Sequence, residues 1–89
     1  MKAINTLLDE REKVHGEFFH TAMLAQGIKS NLHPHLAADL DPIIPEAIDM
    51  IASKLARIAS GNPLHLDHWV DIAGYATLAA NFVRGKTDA

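Results

Sequence analysis

The sequence predicts an all-α fold, a compact bundle of about four helices, and three observations carry that prediction. Runs that alternate β-branched and polar residues are absent, whereas Ala, Leu, Ile and Met recur at helical spacing. Glycine and proline cut the chain into helix-length pieces at Gly16, at His33-Pro34-His35, at Asp41-Pro42 and at Gly61-Asn62-Pro63. The 89 residues, 48% hydrophobic and 21% charged, have the balance of an ordered globular protein and the length of a single domain. A chain of this size buries only a modest core, so a homo-oligomer is expected to complete it.

The elements follow in order. The first helix spans about Thr6 to Val14, with Leu7, Leu8 and Val14 spaced among charged residues and Gly16 as its break. The second runs from about Phe18 to Leu32 on a stripe of Leu24, Ala25, Ile28 and Leu32. Pro34 ends it, because the residue before a proline is pushed out of helical geometry, and the stretch through Asp39 and Asp41 is the main loop. The third helix begins between Pro42 and Pro45, where a first turn tolerates proline, and ends at Ser60 before Gly61. Its expected core stripe is Ile44, Ile48, Ile51, Leu55 and Ile58. The fourth runs from about Leu66 to Arg84, with Gly85 as its cap and residues 86–89 as a frayed tail.

Composition narrows the function classes. A formal charge of −3 with no basic stripe argues against nucleic acid as a partner. Zero cysteines exclude a disulfide framework and thiolate metal sites. The charged run Asp9-Glu10-Arg11-Glu12-Lys13 interrupts any secretory apolar segment, and no run reaches membrane-spanning length. A cytoplasmic protein is the expectation. Neither a Gly-x-Ser-x-Gly elbow, nor a phosphate-cradling Walker loop, nor a dinucleotide fingerprint is present.

The residues that bear chemistry concentrate in the last helix. Asp67, Asp71, Gly74, Tyr75 and Leu78 share one helical stripe, and carboxylates on an inward stripe require a cation, a metal or hydrogen-bond donors. Glu46 and Asp49 form a second acidic pair, on the third helix, and the short turn at Gly61 folds the fourth helix back beside it. Four such oxygen ligands suit Mg²⁺ or Mn²⁺. Antiparallel packing sets the two pairs at different axial levels, however, and places Lys54 and Arg57 nearer to Asp67 and Asp71. Glu46, Asp49 and Asp67 also fit a plainer role, opposing helix dipoles or capping a first turn. Asp71, inside a helix among apolar neighbours, is expected to be paired or functional.

Six histidines is a high count, but their spacing does not form a zinc motif, and His68 beside the aspartates is the best site candidate among them. Phosphate contacts would come from Lys54, Arg57 and Arg11, with Tyr75 or Trp69 near a base.

Three blocks carry a resemblance that covers nearly the whole chain: Leu8-x2-Arg11-x3-His15-Gly16-x-Phe18, then Met50-Ile51-Ala52-x-Lys54-x2-Arg57-Ile58-x2-Gly61, then Asp67-x3-Asp71-Ile72-Ala73-Gly74-Tyr75. Together they resemble a family of small, mostly phage- and prophage-encoded proteins without a settled function. More distantly, Glu46-x2-Asp49 and Asp67-His68-x2-Asp71 are similar to the acidic motifs of the MazG-like all-α nucleoside triphosphate pyrophosphohydrolases. That resemblance implies Mg²⁺-dependent release of pyrophosphate, with Glu46, Asp49, Asp67 and Asp71 as metal ligands, Asp71 and Asp67 as catalytic groups, and assembly as dimers or tetramers. The chain departs from the pattern where His68 replaces an acid and where Lys54 and Arg57 bring positive charge beside the acids.

Three readings therefore stand. One is a MazG-like nucleotide-binding protein acting as an Mg²⁺-dependent pyrophosphohydrolase, in which Lys54, Arg57, Arg11, His68 and Tyr75 bind substrate. The next is a non-catalytic binder that sequesters a nucleotide or another phosphorylated small molecule. The last is a helical interaction protein in which Asp71 and Lys54 or Arg57 form a structural ion pair.

Overall fold

The computed structural model describes residues 2–87. In chain order they form α1 (Lys2–His15), α2 (Phe18–Leu32), a single 3-10 turn (His33–His35), α3 (Ile43–Ser60) and α4 (Leu66–Thr87). The fold is all-α, with no strand among the described residues. α3 is the central helix, lying between α2 and α4, while α1 meets α2 and α3 more sparingly. The result is elongated, 54 × 25 × 23 Å, and among the described residues no helix is long and apolar enough to cross a membrane.

The helix boundaries have local causes. Gly16 takes φ +88°, a left-handed conformation that only glycine adopts at little cost, and the chain turns there from α1 into α2. Glu17 then caps α2, its two carboxylate oxygens accepting the Phe19 and His20 N–H groups at 3.0 Å each. Asp41 accepts the Ile43 N–H at 3.0 Å as α3 begins. Asn62 accepts that of Leu64 at 3.0 Å in the turn before α4. α4 continues through Gly85 to Thr87, so Gly85 does not cap it, and Lys86 and Thr87 are helical rather than frayed. Residues 88 and 89 of the expected tail lie outside the described residues.

Two packing expectations need correction. The buried face of α3 is made by Ala47, Ala52, Ala56 and Ile58, whereas Leu55 is exposed and Ile44, Ile48 and Ile51 are only partly covered. Alanines at the contacts let both neighbouring helices approach closely, so Ile44, Ile48 and Ile51 flank the seam while Ile58 alone of the expected stripe is buried in it. In α4 the expected inward stripe is rotated. His68, Asp71, Ile72, Tyr75, Ala79 and Phe82 are the covered positions, while Asp67, Gly74 and Leu78 face outward. The largest fully buried side chain among the described residues is His68, 2% exposed.

Candidate functional site

Three segments meet where α1 ends. The Asn62 N–H donates to the Val14 carbonyl at 3.0 Å, tying the α3–α4 turn to the last turn of α1. The Ser60 and Thr21 hydroxyls lie 2.6 Å apart, and each reaches the His15 carbonyl, at 3.2 and 3.1 Å. A side chain on Gly16 would collide with Ser60, and one on Gly61 with the backbone of Val14 and His15. The two glycines thus permit a backbone crossing that fixes α1 against α3.

That crossing frames a groove of about 480 Å³ between α1, α2 and α3, within the range of small-molecule sites. Arg11 and His15 enter it from α1, Phe18 and Lys29 from α2, and Ser53 and Arg57 from α3. Among the described residues, no carboxylate lines it. Arg11, Lys29 and Arg57 form no ion pair among the described residues. Unneutralised cations converging on a polar and apolar trough create a field that attracts an anion, and guanidinium groups suit phosphate because they donate two parallel hydrogen bonds.

A histidine cluster backs this groove. His15, His65 and His68 bring their rings together, with centroids 5.0 Å apart for His15–His68 and 4.7 Å for His65–His68. His68 Nε2 is 3.3 Å from the Val14 carbonyl and 3.3 Å from His15 Nδ1. A carbonyl only accepts, so His68 must carry its proton on Nε2 and share it between these two acceptors. His15 Nδ1 is then unprotonated, and a proton added there would face the His68 N–H. Burial, then the neighbouring His68 and the Arg57 charge, accordingly lower the pKa of His15. Burial is also the main cause lowering that of His68, against the opposing effect of its bond to Val14.

The acids are placed elsewhere. Asp71 Oδ2 lies 2.8 Å from Lys54 Nζ, and this hydrogen bond is the chief cause holding the carboxyl below its usual range. Asp49 Oδ1 lies 2.6 Å from His33 Nε2. Asp67 is exposed, 3.9 Å from His65 Nε2, and Glu46 is exposed in the first turn of α3. Antiparallel packing keeps Glu46 and Asp49 well along α3 from the level at which Lys54 meets Asp71. No three His, Asp or Glu side chains among the described residues come together as a metal site, so these four acids do not fit one Mg²⁺ within a single chain.

Of the residues the sequence singled out, Arg11 and Arg57 line the groove, Lys54 is engaged by Asp71, and His68 is buried behind His15. Tyr75 borders a separate trough on α4, and the Trp69 indole donates to the Pro63 carbonyl at 2.8 Å. Sequence reasoning missed Lys29, His15, Phe18 and Ser53 as groove residues. One signal was present, since all five residues of the block Leu8, Arg11, His15, Gly16 and Phe18 line the groove.

Comparison with known proteins adds one match. Residues 1–83 match a family model described as Domain of unknown function (DUF6378). Neither the curated proteins nor the solved structures give a match.

Proposed function

We propose that this chain, which belongs to the DUF6378 family, binds a nucleotide or closely related phosphorylated small molecule in the groove between α1, α2 and α3. One observation carries the reading: Arg11, Lys29 and Arg57 face a common trough that, among the described residues, no carboxylate lines and no ion pair neutralises. The guanidinium groups and Lys29 hold phosphate oxygens, while Ser53 offers a hydroxyl. Phe18, exposed at the groove, provides a ring against which a base stacks. The resemblance to MazG-like proteins supports nucleotides as the ligand class.

Binding without turnover, as in sequestration of a nucleotide by a phage-type protein, ranks ahead of Mg²⁺-dependent pyrophosphohydrolysis. The acids required for hydrolysis are dispersed along α3 and α4, with Asp49 and Asp71 each held by a basic partner. The test is a titration of the full chain with nucleoside mono-, di- and triphosphates and with inorganic pyrophosphate, with and without chelator, while products are followed. Stoichiometric binding that survives chelation, with no product, is expected. Pyrophosphate release that depends on Mg²⁺ would favour the hydrolase, and no binding by any of these anions would overturn both.

A further inference from the structure

We propose that the outer face of α4, centred on Val70, Gly74 and Leu78, packs against the same face of a second copy of this chain about a two-fold axis. The inference does not depend on the ligand groove, which lies on the other side of α3. Val70, Gly74, Thr77 and Leu78 recur at i, i+4, i+7 and i+8, so they form one stripe along the helix. With Asp71 and Tyr75 they line a shallow trough, and Val70 and Leu78 stand 54% and 58% exposed beside it. A Cβ added at Gly74 would meet nothing within 4 Å, so another backbone has room to approach the centre of the stripe.

The amount of uncovered surface points to a partner. The chain exposes 6480 Å², whereas a monomeric globular protein of its 9.7 kDa mass exposes roughly 5,100 Å². The surplus, about 1,400 Å², exceeds the ~800 Å² that each partner contributes to a standard stable interface. It arises from a core in which, among the described residues, four of the five buried hydrophobic ones are alanine. This deficit belongs to the chain itself, so it must be met wherever the chain folds, and the partner present in every such case is another copy. The face also suits self-pairing: it is apolar, its small residue is central, and its one acid is already matched by Lys54. In a two-fold contact the same patch serves both partners.

The absence of cysteine from the natural sequence makes the test clean. Sedimentation equilibrium of the full chain should give about twice 9.7 kDa, and Leu78→Glu should return it to monomer with its helical circular dichroism kept. Gly74→Cys, oxidised in solution, should form a disulfide-linked dimer in high yield, whereas Asp39→Cys in the exposed loop should not. If Leu78→Glu cannot fold, the cysteine pair alone decides. A wild-type chain that is monomeric at tens of micromolar would overturn the proposal. So would a dimer that survives Leu78→Glu and leaves Gly74→Cys uncrosslinked, most pointedly if Ile4→Glu on α1 dissociates it instead.

Discussion

Lys54 Nζ stands 2.8 Å from Asp71 Oδ2, joining α3 to α4 within two turns of the loop that connects them. The Lys54 side chain is largely covered, 13% exposed, while Asp71 remains half open to solvent. Its stem packs along the seam and its ammonium reaches the edge of it. The pair therefore sets the register of the two helices, and its carboxylate is engaged by a cation instead of standing free to receive a metal.

Replacing both partners, Lys54→Met with Asp71→Leu, should keep the fold and leave the melting temperature equal or higher. Exchanging an ion pair for packed apolar groups is often neutral or stabilising. Lys54→Met alone should cost little, because Asp71 can turn to water. Thermal unfolding of the three variants checks this, and collapse of the double variant would show that the pair carries more than register.

Acid should destabilise the protein in two stages. His15 and His68 have pKa values lowered from 6.5 in the folded chain. As pH falls through about 6.5 the unfolded chain therefore takes up protons first, and stability declines until the folded histidines also protonate. Asp71 is lowered from 3.8, so its contribution is present above that value and is lost as pH falls below it. Melting temperatures between pH 7.5 and 5 should fall, and His68→Phe should make that slope shallower. An unchanged slope would place the titrating groups elsewhere.

The glycines should separate by environment. Gly16→Ala forces an L-residue into φ +88° and pushes a Cβ into Ser60, so a loss of about 1–3 kcal/mol is expected. Gly27→Ala lies inside α2 with open space around it and should stabilise by about 0.5–1 kcal/mol. Chemical denaturation of both variants gives the comparison. Equal effects would mean that the α1–α3 crossing is not rigid.

Much of this architecture is legible in the sequence, because its punctuation is strong. Gly16, Pro34, Pro42 and Gly61 place every break between helices close to where it falls. The rotation of α4 is not legible. Its residues are apolar or small on nearly every side, so periodicity does not select a face, and the acids invite a stripe through Asp67 and Leu78 that the structure turns outward. The groove is legible only in part. Arg11 and Arg57 stand out as cations, but 46 positions separate them, and their meeting depends on the close crossing of Gly16 and Gly61, which the sequence presents merely as two helix ends. Lys29 carries no local signal, being a single charge in the last turn of α2.

Under the proposed function the groove cations, and not the acids of α4, hold the ligand. Calorimetric titration of the tightest-binding nucleotide into wild type, Arg57→Ala and Asp71→Asn, with chelator present, separates the two sets of residues. Arg57→Ala should weaken binding by about tenfold or more, the scale of one lost charge-assisted contact, while Asp71→Asn should stay within about twofold of wild type, a change of under about 0.5 kcal/mol. Intact binding by Arg57→Ala together with loss of binding by a folded Asp71→Asn would contradict it.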